Sequence, residues 1–95
     1  MKYAAVIEYL QDAATVGRLR PEHRQYLAAL KERGQLAVSG PFADGSGALI
    51  VYEAESTEAA EELLKSDPFH RAGVFVRGVL RPWNVVIADR EAFPP

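Results

Sequence analysis

The spacing of hydrophobic and polar positions changes along the chain between a strand-like and a helical pattern. Tyr3–Leu10 is rich in β-branched and aromatic residues and carries one charge, which is typical of a mostly buried strand. Farther along, His23, Leu27, Leu30 and Gly34 recur at intervals of four, three and four residues. That spacing places them on one face of a helix. The chain is therefore predicted to open with a strand and a helix.

The first predicted helix has recognisable ends. Pro21 suits its first position, because the missing proline N–H would have no partner there, and Gly34 after Arg33 is suited to a left-handed cap. A helix over 21–33 would place His23 in its first turn, on the apolar face and beside the positive end of the dipole. That setting disfavours the imidazolium and predicts a neutral base; a core histidine with a satisfied hydrogen bond is the alternative.

Two short strands joined by a hairpin loop are predicted next. Leu36–Ser39 is apolar enough for a strand and is followed by Gly40–Pro41, which stops it. Ala48–Ala54 predicts the returning strand. The stretch Phe42–Gly47 between them contains an Asp-Gly pair and a further glycine, so we expect a hairpin loop whose glycines have positive φ.

A second helix and a tight connector follow the hairpin. Ser56 is a good N-cap, and the helix must end near Ser66, because Asp67 precedes Pro68 and is pushed toward extended geometry. The connector over 67–73 has room for one short helical turn.

The last β-rich segment completes a known order of elements. Val74–Ala88 is interrupted by Gly78 and Pro82, which predicts a bent strand or one at a sheet edge. The order strand-helix-strand-strand-helix-strand predicts an α+β fold, the ferredoxin-like split βαβ (βαββαβ), as a single domain over residues 1–95. Right-handed crossovers would place both helices on one face of a four-stranded antiparallel sheet. The other face carries apolar groups, so we expect a second copy to cover it in a C2 homodimer, with Trp83 near the contact.

Composition narrows the class of protein. The net charge is −2 and the basic residues are scattered, so there is no basic stripe for nucleic acid. The chain has no cysteine, which excludes a disulfide scaffold and a cysteine nucleophile. Glu8 comes too early for a secretory apolar region and no stretch could span a membrane, so a cytoplasmic protein without membrane contact is expected.

Four short motifs resemble the YciI-like (YCII-related) family in order and spacing. They are Arg20–His23, Gly40–Phe42, Asp67–Phe69 and Arg81–Asn84. The resemblance implies a ferredoxin-like dimeric α+β barrel with an active site built on a histidine and an aspartate, which correspond here to His23 and Asp67. Most members are small bacterial proteins without an assigned substrate, although the wider group includes a dehydrochlorinase that acts on a chlorinated hydroxyhydroquinone.

Asp67 also has a physical argument of its own. It stands at the end of the second helix, where the dipole disfavours an anion, and it could simply bond nearby backbone N–H groups. Alternatively, it could orient the His23 imidazole, as a carboxylate does in a base–orienter pair. Helices on one face of one sheet would allow the two to meet. We predict that they do, for general acid–base chemistry (elimination, dehalogenation or isomerisation) on a small aromatic or carbonyl compound.

Four further residues are candidates for binding that compound. Arg20 could receive an anionic group, as could Arg24 and Arg81. Ser39 could reach the site from the second strand, and Phe42 and Phe69 could line a pocket between helices and sheet. The alternatives are a solvated charge, a small polar strand end and ordinary core aromatics. His70 adds a second histidine, but without ligand spacing we predict no metal and no cofactor.

Two functions remain open at this point. The first is a small lyase-like or isomerase-like enzyme that uses His23 and Asp67. The second is a non-catalytic dimeric module that binds a small molecule or a protein. They differ in whether the two side chains lie within hydrogen-bond reach beside a cavity open to solvent.

Overall fold

A four-stranded antiparallel sheet and three helices make up the computed structural model, which describes residues 1–95. The elements in chain order are β1 (Lys2–Tyr9), α1 (Ala13–Glu32), β2 (Leu36–Pro41), β3 (Gly47–Glu53), α2 (Thr57–Lys65), α3 (Pro68–Arg71), β4 (Phe75–Trp83) and a 3₁₀ turn (Arg90–Ala92). The strand order is β2-β3-β1-β4, with every neighbouring pair antiparallel. This is the arrangement predicted for a split βαβ fold.

One face of the sheet packs against the helices and forms the core. Alternate residues of the central strands β1 and β3 point to this face, as the pleat requires. The buried cluster consists of Ala5, Ile7, Tyr9, Val16, Leu27, Leu30, Ala48, Ile50, Tyr52, Phe69 and Val74. The predicted inward face of α1 is confirmed, because His23, Leu27 and Leu30 are all buried.

Helix α1 begins earlier than the sequence suggested. Asp12 caps it: its carboxylate accepts the Thr15 backbone N–H at 3.2 Å and the Thr15 hydroxyl at 2.8 Å. Pro21 therefore lies inside the helix, and His23 is in its middle, away from the positive end of the dipole. The expected cap at Gly34 is present, with φ of 73°. None of the helices combines the length and apolar content needed to cross a membrane.

Glycine is required at two positions of the hairpin, Gly45 and Gly47, for different reasons. Gly45 has φ of 75°, as predicted. Gly47 does not have positive φ, so that part of the prediction is wrong. A side chain at Gly47 would instead overlap the carbonyl oxygen of Ile7 on β1, so the position requires close approach of two backbones rather than an unusual conformation.

Strand β4 is shorter than the β-rich segment that contains it. It ends at Trp83, which pairs with Lys2, the first residue of its antiparallel partner β1. Residues beyond that point have no strand beside them, and Val86 and Ile87 are almost fully exposed. The edge position predicted from Pro82 is confirmed, because β4 is an outer strand of the sheet.

The sheet face without helices carries an exposed apolar row. Val6 on β1 pairs with Leu49 on β3 and with Val79 on β4, so the three side chains lie side by side. Their exposed fractions are 50%, 36% and 55%. Next to this row, Glu8 on β1 pairs with Arg77 on β4.

Candidate active site

The imidazole of His23 and the carboxylate of Asp67 are in direct contact inside the protein. His23 Nδ1 lies 2.7 Å from Asp67 Oδ1 and 2.9 Å from Oδ2. Because an ionised carboxylate can only accept hydrogen bonds, Nδ1 carries the proton and donates it. Asp67 is completely buried, so its carboxylate is shielded from water, while His23 retains 6% of its surface.

The start of α3 holds Asp67 in place. Asp67 is the N-cap of this helix, and its Oδ1 also accepts the backbone N–H of Phe69 at 2.9 Å. Pro68 occupies the first helical turn, which matches the fixed proline φ. The Asp-Pro-Phe sequence therefore ends α2, begins α3 and aims one carboxylate at α1.

Phe69 determines the orientation of the imidazole from beneath. Its ring is stacked on that of His23, with centroids 4.0 Å apart and planes within 7° of parallel. Phe69 itself is fully buried against Tyr9 and Phe75. The histidine ring is thus held at one edge by Asp67 and on one face by Phe69.

The second ring nitrogen of His23 is free. Among the fully enclosed side-chain polar atoms, the Tyr52 hydroxyl alone has no hydrogen-bond partner. His23 Nε2 has no protein partner either, but it does not belong to that enclosed group, so it retains some accessible surface. His23 lines a cavity. Nε2 is therefore the atom that the site presents to a ligand.

This cavity lies between α1 and the sheet and measures about 250 Å³. It is lined by Tyr9, Arg20, His23, Arg24, Leu27, Ser39, Gly40, Pro41, Ala48 and Ile50. Ligand pockets usually measure about 300–1,000 Å³, so this one suits a single-ring compound rather than a large cofactor.

Tyr9 is the tyrosine that lines the cavity beside His23. Burial raises its pKa; the positive charge of Arg20 opposes this, the carboxylate of Asp67 adds to it, and Arg24 again opposes it. The Tyr9 hydroxyl makes no hydrogen bond to the protein and is not fully enclosed, and Tyr9 lines the cavity. Tyr9 stays protonated at neutral pH and can donate a hydrogen bond.

Two more tyrosines, Tyr52 and Tyr26, lie close enough to Asp67 for its charge to act on them. Burial raises the pKa of Tyr52, and the Asp67 carboxylate raises it further. Burial likewise raises the pKa of Tyr26, whose hydroxyl donates to the Leu63 carbonyl at 2.6 Å and ties α1 to α2. Both phenols therefore remain neutral beside a buried carboxylate.

The four binding residues expected from the sequence lie in different places. Arg20 and Ser39 line the cavity. Phe69 supports the histidine ring instead of the ligand space. Phe42 lies outside the cavity, in the exposed hairpin loop, where its backbone bonds to Gly47 and Gly45 close the turn. Its ring therefore does not contribute to the site.

Arg24 and Tyr9 also line the cavity but are not among those four residues. Arg24 follows Arg20 by one helical turn and adjoins His23, so it can receive the same anionic group. Tyr9 ends β1 in the same inward phase as Ala5 and Ile7. Nothing in the local sequence shows that this phase points at the cavity. No group of three or more His, Asp or Glu side chains is arranged to hold a metal ion.

Known proteins are similar to this chain over most of its length. The YCII-related domain family matches residues 1–84. The protein YciI of Escherichia coli O6:H1 is 31% identical, over 72% of this chain and 80% of that protein, and YciI of Shigella flexneri matches equally. A solved structure with a TM-score of 0.77 is the 5-chloro-2-hydroxyhydroquinone dehydrochlorinase TftG from Burkholderia phenoliruptrix AC1100, in complex with 2,5-dihydroxybenzoquinone. It shares 23% identity and covers 88% of this chain and 94% of its own, which shows a common fold.

Proposed function

The chain belongs to the YCII-related domain family, and on that premise we propose that it is a small enzyme whose His23–Asp67 pair performs general acid–base chemistry. One observation supports this most. A fully buried carboxylate bonds Nδ1 of His23, while Nε2 has no protein partner and His23 lines a cavity. A histidine that served only the core would have both ring nitrogens satisfied.

In this mechanism each side of the imidazole has one task. Asp67 keeps the proton on Nδ1, so the lone pair is on Nε2, within reach of a ligand. When Nε2 accepts a proton, the Asp67 carboxylate stabilises the positive charge that forms. Returning that proton to a leaving group or to another ligand atom completes an elimination or an isomerisation.

We propose a single-ring aromatic or carbonyl compound as the substrate. The dehydrochlorinase that shares the fold acts on a chlorinated hydroxyhydroquinone, which is a compound of this size. In an elimination at this site, Nε2 would take the proton. The electron pair of the broken bond would form the new double bond, and the leaving group would depart with its own pair. No step requires an oxidant or a reductant.

We also propose that two copies associate through the helix-free sheet face. Val6, Leu49 and Val79 form a continuous apolar row there, and such rows are seldom left in contact with water. A C2 contact through this face, with Trp83 near it, would bury on the order of 1,600 Å² in total. Sedimentation should show a dimer at micromolar concentration for the native protein and a monomer for Val6→Lys. A native protein that sediments as a monomer would contradict the assignment.

The proposed chemistry is tested by turnover of hydroxyhydroquinones, halogenated phenols and lactones, followed by product and halide release. His23→Gln and Asp67→Asn should each abolish turnover, and the double variant should lose little more than either single one, because the two residues act as a unit. His70→Gln is the matched control, since His70 does not line the cavity, and it should keep full activity. Compounds that bind without being converted would instead indicate a non-catalytic binding module.

A further inference from the structure

The cavity beside His23 contains positive charge without a compensating acid. Arg20 and Arg24 lie one helical turn apart on α1, and His23 lies between them in the chain. All three residues line the cavity, and no Asp or Glu is among the residues that do. The nearest carboxylate, that of Asp67, is completely buried and bonded to the histidine.

Neither arginine is used elsewhere in the structure. The ion pairs of the protein do not include Arg20 or Arg24, and neither guanidinium donates a hydrogen bond to another residue. All five N–H donors of each guanidinium are therefore without a protein partner. The electrostatic effect of both reaches into the cavity, since both lower the pKa of the Tyr9 phenol against the effect of its burial.

The remaining cavity surface suits the body of a ring. Leu27, Ala48 and Ile50 provide an apolar floor. Tyr9 and Ser39 add two hydroxyl groups at its edge. The site therefore combines a flat apolar surface, a cationic side and one basic nitrogen within about 250 Å³.

We propose that this cavity selects a single-ring organic anion, a phenolate or an aromatic carboxylate, whose charged oxygen contacts Arg20 and Arg24 while a ring atom faces His23 Nε2. The charge selection stands on the arginines alone, and only the position of the reacting atom rests on the proposed acid–base function. A planar guanidinium fork matches a carboxylate with two parallel hydrogen bonds, which an ammonium cannot reproduce, and it also donates charge-assisted hydrogen bonds to a phenolate oxygen.

Binding of benzoate and of its uncharged amide, benzamide, tests this selection by calorimetry at low ionic strength. Benzoate should bind at least about tenfold more tightly than benzamide, and its affinity should fall as salt is added. Arg20→Gln/Arg24→Gln should remove this preference, while Arg18→Gln should keep it. Arg18 lies on the same helix, is exposed and does not line the cavity, so it controls for the loss of charge.

Each outcome bears on one of the two proposals. The anion site is overturned if native protein does not bind benzoate, if benzamide binds as tightly, or if the double arginine variant keeps the preference. Because the arginines make no internal bonds, circular dichroism should show that this variant is folded. His23→Gln should retain the preference for benzoate. If His23→Gln retains the preference but the native protein turns over no compound, the acid–base function fails while the anion site stands. If the native protein turns over neutral compounds alone, the anion site fails while the acid–base function stands.

Discussion

Replacing Asp67 by alanine should destabilise the protein more than the loss of an ordinary helix cap. The carboxylate accepts the Phe69 backbone N–H at 2.9 Å and the His23 Nδ1–H at 2.7 Å, and it is completely buried. Removing the cap costs about 1 kcal/mol. Leaving a buried imidazole N–H without a partner costs about 1–3 kcal/mol more. The free energy of unfolding should therefore fall by about 2–4 kcal/mol.

Urea unfolding followed by circular dichroism measures this loss, and two variants separate its parts. Asp67→Asn keeps the side-chain shape and one acceptor, so its loss should be about half as large. Asp89→Ala removes the same contact, from an exposed carboxylate to the Glu91 N–H at 3.0 Å, and should cost less than about 0.5 kcal/mol. If Asp67→Ala were no more destabilised than Asp89→Ala, the buried pair would not contribute to stability and the reasoning would be refuted.

Further predictions concern the hairpin loop and the buried phenols, each read from the free energy of unfolding. Gly45→Val should cost about 1 kcal/mol or more, because φ is 75° there; an unchanged melting temperature would contradict this. Gly47→Ala should cost about 2–3 kcal/mol, because its side chain would overlap the Ile7 carbonyl. Tyr52→Phe should be neutral or stabilising, since its hydroxyl is buried without a partner; a loss above about 1 kcal/mol would mean that the hydroxyl is bonded. Above about pH 10 stability should fall as pH rises, because burial raises the pKa of Tyr52 and the unfolded chain ionises first; Tyr52→Phe should reduce that slope.

The order of elements could be predicted because each element has a local pattern of its own. The inward face of α1 follows from the spacing of His23, Leu27 and Leu30, and the Asp67–Pro68 pair marks the break between α2 and α3. The contact between His23 and Asp67 could be expected once both helices were assigned to one face of the sheet. It depends on topology more than on exact boundaries.

The parts that could not be predicted depend on partners distant in the chain. The end of β4 at Trp83 lies opposite the start of β1 at Lys2, which no pattern in the last segment reveals. The start of α1 differs from the predicted one because Asp12 and Thr15 cap the helix earlier, although Pro21 also suits a first turn. Tyr9 reaches the cavity only because β1 lies beneath α1.

The most direct test of the central claim is the protonation pattern of the His23 ring. Nitrogen NMR of uniformly labelled protein at neutral pH, with His70→Gln to assign the signals, distinguishes the two ring nitrogens. We expect a proton on Nδ1, held by Asp67, and a lone pair on Nε2, with this pattern lost in Asp67→Ala. A proton on Nε2 and none on Nδ1 in the native protein would contradict it, because the atom facing the cavity could not then act as a base.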